Sequence, residues 1–133
     1  MTGLVALVTL LALLFYFWTG IAVAQARGKF KIEAPAMTGN AEFERTARVQ
    51  MNTLEWLPLF LVSLWMFATY WPAWIAAAIG VVWIIGRFMY MQGYIAAAEK
   101  RSLGFSVQAI AVAILFVGAL VGVIMSMVNN GAT

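Results

Sequence analysis

A chain of 133 residues that is 65% hydrophobic and only 10% charged cannot be an ordinary soluble domain, because soluble domains carry charge on about a quarter of their residues. Length and composition together exclude a globular enzyme and favour one membrane domain over residues 1–133, with most of its apolar surface against lipid. The formal net charge of +3 is small, and it gives no reason to expect a nucleic-acid partner.

The first apolar run covers residues 4–24 and contains no charged residue. Such a run is long enough to cross a bilayer, which takes roughly 20 residues of helix. The sequence "AVA" at 22–24 resembles a signal-peptide cleavage site. However, the run is longer than the apolar region of a signal peptide and has no basic segment before it. We therefore expect a retained membrane span.

The second span is predicted over residues 41–69, after a loop that contains "IEAPAMTGN". Asn40 is placed as the N-cap of this helix, and Glu42 and Glu44 then fall in its first turn, where the helix dipole favours negative charge. The segment 42–55 is unusually charged for this chain, but it continues into the apolar run 56–69 without any turn signal. One long helix is the simplest interpretation.

The third and fourth spans are predicted over residues 73–98 and 103–128. A short turn, "YWPA" at 70–73, separates the second span from the third. In the third run the prominent polar residues are Arg87 and Gln92, and the fourth carries no charge at all. The sequence therefore predicts an all-α integral membrane protein built as a bundle of four transmembrane helices.

The basic residues indicate how the bundle is oriented. They cluster in the connection between the first and second spans and in the one between the third and fourth, whereas both termini and the turn at 70–73 carry none. Cytoplasmic loops carry the excess of Lys and Arg. We therefore expect the loops 25–40 and 99–102 to be cytoplasmic and both termini to lie outside.

The sequence contains no cysteine and no histidine. This excludes disulfides, thiol nucleophiles and imidazole bases, together with the usual ligands of zinc, and we predict no metal site. Any chemistry must rely on Arg, Tyr, Glu and Asn, or on a reactive group that the substrate brings.

Two stripes of polar residues run along the predicted membrane helices. A helix places residues three, four or seven apart on one face. On the second helix this stripe consists of Arg45, Arg48, Asn52 and Glu55. On the third it consists of Arg87, Tyr90, Tyr94 and Arg101. Both stripes approach the cytoplasmic side, so we expect them to share a polar cavity.

Polar residues inside a membrane are often functional, but they also bridge helices structurally. For Arg87, a structural ion pair with Glu55 and direct contact with a ligand are equally open. The cavity holds more arginine than its acidic residues can neutralise, and guanidinium groups match carboxylates. Asn52 and Glu55 could accept an amine. The stripes thus favour a small zwitterionic ligand with more than one carboxylate.

The segments "FERTARVQMNTLEWLPLFLVSLW" and "GRFMYMQGYIAAAEKRSLGF" resemble the MAPEG family, the membrane-associated proteins of eicosanoid and glutathione metabolism. The resemblance extends from about Ala26 to Phe105. It is strongest to the branch with the type-two microsomal glutathione transferase and the cysteinyl-leukotriene synthase. The combination of F-E-R-x-x-R-x-Q-x-N-x-x-E with R-x-x-Y-x-Q-G-Y is specific to the family.

The resemblance implies a homotrimer with glutathione bound at each subunit interface, open to the cytoplasmic side. Arg101 matches the arginine that stabilises the glutathione thiolate. The positions that match the family's glutathione contacts are Arg27, Arg48, Gln50, Asn52, Glu55, Tyr90 and Tyr94. Glutathione would be the co-substrate, and a hydrophobic second substrate would enter from the bilayer lipids.

Two positions depart from the family pattern. Trp56 stands where an aromatic residue with a hydroxyl is common, and an indole donates but cannot accept a hydrogen bond. Gly28 stands where the leukotriene synthase has a second arginine. The second departure favours a general transferase over leukotriene synthesis.

Three functions therefore remain in view. The first is a detoxifying glutathione transferase or peroxidase that acts on lipophilic electrophiles or lipid hydroperoxides. The second is a non-catalytic lipid-binding scaffold of the same fold, which typically lacks the residue equivalent to Arg101. The third is a small four-span multidrug transporter, but such chains carry a glutamate within the first span, and this one does not.

Overall fold

The computed structural model describes residues 2–131 and contains four long helices. They are α1 (Thr2–Phe30), α2 (Ala41–Tyr70), α3 (Ala73–Ala96) and α4 (Ser102–Asn129). A short 3-10 turn, Ala98–Arg101, connects α3 to α4. Each long helix is long and apolar enough to cross a bilayer. The predicted class, an all-α integral membrane protein of four spans, is confirmed.

The predicted start of α2 is confirmed in detail. The side chain of Asn40 accepts a hydrogen bond from the backbone N–H of Phe43 at 3.0 Å, which satisfies one of the unpaired donors at a helix N-terminus. Glu42 and Glu44 lie in the first turn. At the other end, α2 closes at Tyr70 and α3 begins after Pro72. Proline suits this position because the backbone N–H groups at a helix start have no partners within the helix.

The C-terminal ends of α1 and α3 differ from the expected bounds. Helix α1 continues to Phe30, so Arg27 and Lys29 belong to its last turn and not to a loop. Cations are stabilised there by the negative end of the helix dipole. Helix α3 ends at Ala96, two residues before the expected bound, and Ala97 is extended. The chain then re-enters helical geometry through the 3-10 turn.

The bundle is held together by apolar side chains from all four helices. At its centre the rings of Phe60 on α2 and Trp83 on α3 stack at 4.0 Å with an interplanar angle of 4°. Both side chains are fully buried. The Trp83 indole N–H donates to the side-chain oxygen of Gln108 on α4 at 3.1 Å, so that its polar atom is satisfied inside the bundle.

Helices α3 and α4 approach so closely that their contact depends on glycine. A Cβ atom added at Gly104 would lie 2.6 Å from the Cα of Tyr90, and one added at Gly86 would lie 2.7 Å from the backbone nitrogen of Gln108. Small residues permit such backbone contacts between membrane helices. Tyr90 is also a predicted site residue, so the Gly104 contact fixes α4 against that part of α3.

We predict that Gly104→Ala destabilises the protein by about 1–3 kcal/mol, the usual effect of overpacking, because the new methyl group would collide with the backbone of α3. Gly28→Ala is the matched control, since no atom of the described residues lies within 4 Å of a Cβ at that helical position. Alanine there should be neutral or stabilising by about 0.5–1 kcal/mol. Thermal unfolding in detergent measures both. Equal melting temperatures for the two variants would contradict the close contact.

Candidate ligand-binding site

A polar cavity of about 440 Å³ opens between α2, α3 and the start of α4. Its volume falls within the range of small-molecule sites, about 300–1,000 Å³. Five of the residues that line it were predicted as site residues from the sequence, and the sixth is Phe105. The lining consists of Arg48, Asn52, Tyr90, Tyr94, Arg101 and Phe105.

Helix α2 contributes Arg48 and Asn52, which lie four residues apart and therefore on one helix face. Glu55, three residues after Asn52, does not line the cavity. Its carboxylate pairs with Arg48, at 3.3 Å between Glu55 Oε1 and Arg48 Nη2. The two side chains are 45% and 57% exposed, so this pair adds little to stability. Arg48 can therefore exchange Glu55 for a ligand carboxylate at small cost.

Helix α3 contributes Tyr90 and Tyr94, whose rings stack at 5.5 Å with an interplanar angle of 15°. Tyr90 is almost completely buried. Phe105 of α4 packs against Tyr90 at 6.0 Å between ring centroids and against Trp56 of α2 at 5.6 Å. The side of the cavity formed by α3 and α4 is therefore largely aromatic, and the side formed by α2 carries Arg48 and Asn52.

Arg101 reaches the cavity by a route that differs from the predicted one. The sequence interpretation placed it on the third helix, two turns after Tyr94, and this geometry is wrong because α3 ends at Ala96. Arg101 instead closes the 3-10 turn. The fold back toward α3 places its guanidinium carbon 5.6 Å from the centroid of the Tyr94 ring, a cation–π distance.

Arg45 was assigned to the polar stripe of α2, but it does not line the cavity. Its Nε donates to the backbone carbonyl of Ile95 at 3.1 Å. That carbonyl belongs to the last turn of α3, where carbonyl groups lack partners within the helix. Arg45 therefore caps the C-terminus of α3. The hydrogen bond connects α2 to α3 at Ile95, the residue next to Tyr94.

Arg87 forms neither of the two contacts considered from the sequence. The ion pair with Glu55 is absent, because Glu55 pairs with Arg48, and Arg87 does not line the cavity. Instead its two terminal nitrogens donate to Asn52 Oδ1 at 2.8 Å and to Thr53 Oγ1 at 2.6 Å. Its side chain is fully buried.

Arg27 and Gln50, also predicted as site residues, lie away from the cavity. Arg27 Nη1 donates to the carbonyl of Ala36 at 2.7 Å, and the guanidinium carbon lies 5.0 Å from the ring centroid of Phe43. The Gln50 side chain faces α1, since its Nε2 would lie 3.2 Å from a Cβ at Gly20. A helix turns about 100° per residue. Gln50 therefore points away from the face that carries Arg48 and Asn52.

Sequence reasoning missed Phe105 as a wall of the cavity and Thr53 as a partner of Arg87. Phe105 lies four residues after Arg101, a spacing that would have placed both on one face had the 3-10 turn been foreseen. Thr53 gave no signal, because threonine in an apolar helix usually bonds to its own backbone. Thr53 does this too, donating to the carbonyl of Val49 at 2.7 Å.

A larger groove of about 610 Å³ runs between α1 and α3 and is lined entirely by apolar residues such as Leu14, Trp18 and Ile85. It offers no charged group to a ligand. The polar cavity is therefore the candidate site for a charged small molecule.

The chemistry of the cavity is that of an anion site. Arg48 and Arg101 supply two permanent positive charges, and the amide and hydroxyl groups of Asn52, Tyr90 and Tyr94 supply further hydrogen bonds. Among residues 2–131, no group of three or more His, Cys, Asp or Glu side chains could hold a metal ion. The fold and this cavity define a four-span membrane protein with an arginine-rich polar pocket.

The sequence profile of the MAPEG family matches residues 5–121. The chain therefore belongs to the MAPEG family, as the sequence motifs indicated. The match includes part or all of each of the four helices and every residue that lines the cavity.

Individual relatives agree with this assignment. An uncharacterised protein of Synechocystis is 49% identical over 119 residues, which is 90% of this chain and 87% of that protein. Microsomal glutathione S-transferase 2 of Mus musculus is 41% identical over 97% of this chain and 88% of its own length. Leukotriene C4 synthase of Bos taurus is 39% identical over 74% of this chain and 66% of its own length.

Proposed function

We propose that this protein is a membrane-bound glutathione transferase that activates glutathione as a thiolate for attack on lipophilic electrophiles. The observation that carries the proposal is the cavity in which Arg48 and Arg101 meet two tyrosines and an asparagine. The similarity to glutathione S-transferase 2 and leukotriene C4 synthase supports glutathione as the co-substrate.

Glutathione carries two carboxylates and one ammonium group, so it matches the charges that the cavity presents. Arg48 would bind one carboxylate in the two-pronged geometry that guanidinium groups favour. Glu55, freed from Arg48, would then accept the ammonium group. The aromatic side formed by Tyr90, Tyr94 and Phe105 would exclude water from the reacting sulfur.

The catalytic role falls to Arg101, which resembles the thiolate-stabilising arginine of the family. A free cysteine thiol has a pKa near 8.5, so only a small fraction is ionised at neutral pH. A guanidinium close to the sulfur favours the charged form and lowers that pKa. Arginine suits this role because it never loses its own proton, and its contact with the Tyr94 ring holds it at the cavity.

The second substrate would be hydrophobic and would arrive from the lipid bilayer. In a transferase reaction the thiolate sulfur forms a bond to an electrophilic carbon, and the electrons of the broken bond leave with the departing or adjacent group. A peroxidase reaction would use the same thiolate to attack a peroxide oxygen, with the O–O bond breaking and the lipid alcohol leaving. A second glutathione would then form the disulfide, with water as the leaving group. The thiolate is common to both reactions, so Arg101 would serve either.

The assembly that fits this proposal is a homotrimer with one site at each subunit interface. Arg27 and Gln50 match glutathione-binding positions of the family but face away from the cavity of their own chain. They could reach a ligand only in the cavity of a neighbouring copy. The half-exposed charges of Arg48 and Glu55 support the same arrangement, since charged groups at membrane helices require protein or water rather than lipid as neighbours.

The orientation proposed for the four spans places both termini outside and the 25–40 and 99–102 connections in the cytoplasm. It rests on Arg27, Lys29, Lys31, Lys100 and Arg101 lying at the same end of the bundle, where the positive-inside rule expects them. The cavity would then open toward cytoplasmic glutathione.

A non-catalytic, lipid-binding scaffold of the same fold is the alternative function. Such a protein has no need for a cation beside a thiol. Arg101 is present and lines the cavity, which favours the transferase.

The proposed role of Arg101 predicts a change in the thiolate titration of bound glutathione. The wild-type protein should show the ultraviolet absorbance of thiolate at pH 7, since the guanidinium stabilises the ionised form. Arg101→Ala should still bind glutathione but should require a pH about two units higher for the same signal. Lys100→Ala is the matched control, because that exposed side chain does not line the cavity. It should titrate as wild type. Identical titrations for all three proteins would show that Arg101 is only a basic residue of the connecting turn.

The interface site predicts complementation between inactive variants. Arg27→Ala and Arg48→Ala should each lose activity when expressed alone. In mixed trimers, a site is intact when the subunit that forms the cavity keeps Arg48 and its neighbour keeps Arg27. In an equal mixture this holds for about a quarter of the sites of a cyclic assembly. The measurement is transferase activity after co-expression with two different affinity tags, alongside the mass of the particle in detergent. An active monomer, or mixed particles without activity, would contradict a shared site.

A further inference from the structure

Arg87 occupies an unusual position for an arginine, because it is buried inside a membrane bundle without a carboxylate partner. Within residues 2–131 its two terminal nitrogens donate only to the neutral acceptors Asn52 Oδ1 and Thr53 Oγ1. Its guanidinium carbon also lies 4.6 Å from the centroid of the Tyr90 ring. Burying a charged group without a counter-ion is costly, and its hydrogen bonds must offset part of that cost.

The contact with Asn52 fixes which end of that amide faces the cavity. An asparagine side chain has one oxygen that accepts and one NH₂ group that donates, whereas a guanidinium can only donate. The oxygen must therefore point toward Arg87. Asn52 nevertheless lines the cavity, and in the described part of the chain no protein group accepts a hydrogen bond from its Nδ2.

Thr53 makes this arrangement rigid. Its hydroxyl donates to the carbonyl of Val49 at 2.7 Å, so its single hydrogen is committed and only lone pairs remain for Arg87. Arg87 is thus held by two acceptors on consecutive residues of α2. Neither the guanidinium nor the Asn52 amide can turn over without breaking a buried hydrogen bond.

We propose that Arg87 is a positioning residue that turns Asn52 into a hydrogen-bond donor for an acceptor group of the ligand, a carboxylate or carbonyl oxygen. This rests on the proposed function, with glutathione as the ligand. It reverses the sequence interpretation in which Asn52 accepts an amine. Glu55 is then the group left to receive the ammonium of the ligand, and the α2 face is divided into a donor part and an acceptor part.

The test compares Asn52→Asp with Asn52→Ala, using isothermal titration with S-hexylglutathione as a non-reactive probe. Alanine removes the donor and should weaken binding about 2- to 12-fold, the usual range for one hydrogen bond. Aspartate can only accept, so it should weaken binding about tenfold beyond alanine by facing an acceptor on the ligand. At the same time aspartate pairs with Arg87, and its melting temperature should be at least that of the alanine variant.

This separation of binding from stability is not expected of a purely structural residue. Thr46→Val serves as the control for buried polar changes on α2, because within residues 2–131 the Thr46 hydroxyl bonds only to the Glu42 carbonyl of its own helix. Its affinity for the probe should match that of wild type. If Asn52→Asp binds as tightly as wild type or more tightly, the oxygen faces the ligand and the proposal is overturned.

A double-mutant cycle tests whether Arg87 acts through Asn52. Arg87→Gln should weaken probe binding severalfold in the wild-type background and change it little when Asn52 is already alanine. Equal losses in both backgrounds would show that Arg87 does not act through the amide. If wild-type protein does not bind the probe at all, the proposed function itself is wrong. If wild type binds but the Asn52 variants do not differ as expected, only the role of Arg87 is wrong.

Discussion

The structure depends on how a membrane bundle accommodates one guanidinium group. Inside a span, Arg87 cannot rely on water for its hydrogen bonds and must find acceptors in the protein. It finds them on α2, in Asn52 and Thr53, and by doing so it fixes α3 against α2 at the depth of the cavity. On its other side α3 is fixed by Gly104, where α4 comes into backbone contact with Tyr90. The cavity lies between these two contacts, so its shape follows from them.

The fold could be predicted from the sequence because each helix that crosses a bilayer must be apolar and about 20 residues long. Four apolar runs of sufficient length, a proline at the turn before α3 and an N-cap at Asn40 were enough to place four helices. What could not be predicted was the end of α3 at Ala96. Alanine-rich sequence favours helix on propensity alone, and the break is stabilised by tertiary contacts, including Arg45 on the Ile95 carbonyl. Such contacts have no local signature.

The residues that line the cavity were predicted more accurately than the way in which they reach it. Helical spacing correctly grouped Arg48 with Asn52 and Tyr90 with Tyr94, since each pair lies within one regular helix. Spacing failed for Arg101, which reaches Tyr94 from the 3-10 turn, and for Arg87, whose acceptors are neutral groups on another helix. Family resemblance added Arg27 and Gln50. Helical spacing could not have grouped them with the residues that line the cavity, because they do not share a helix face with those residues. Arg27 on α1 and Gln50 on α2 both lie away from the cavity of their own chain, and the proposed assembly would bring them to the cavity of a neighbouring copy.

The central claim is that the arginine-rich cavity binds glutathione, and isothermal titration of the purified protein in detergent tests it most directly. Wild-type protein should bind glutathione, and S-hexylglutathione more tightly because the added chain buries apolar surface. Arg48→Ala should weaken both by at least tenfold, as expected for the loss of a charge-assisted pair worth about 1.5–3 kcal/mol. Absence of binding to folded wild-type protein, or unchanged affinity in Arg48→Ala, would contradict the account.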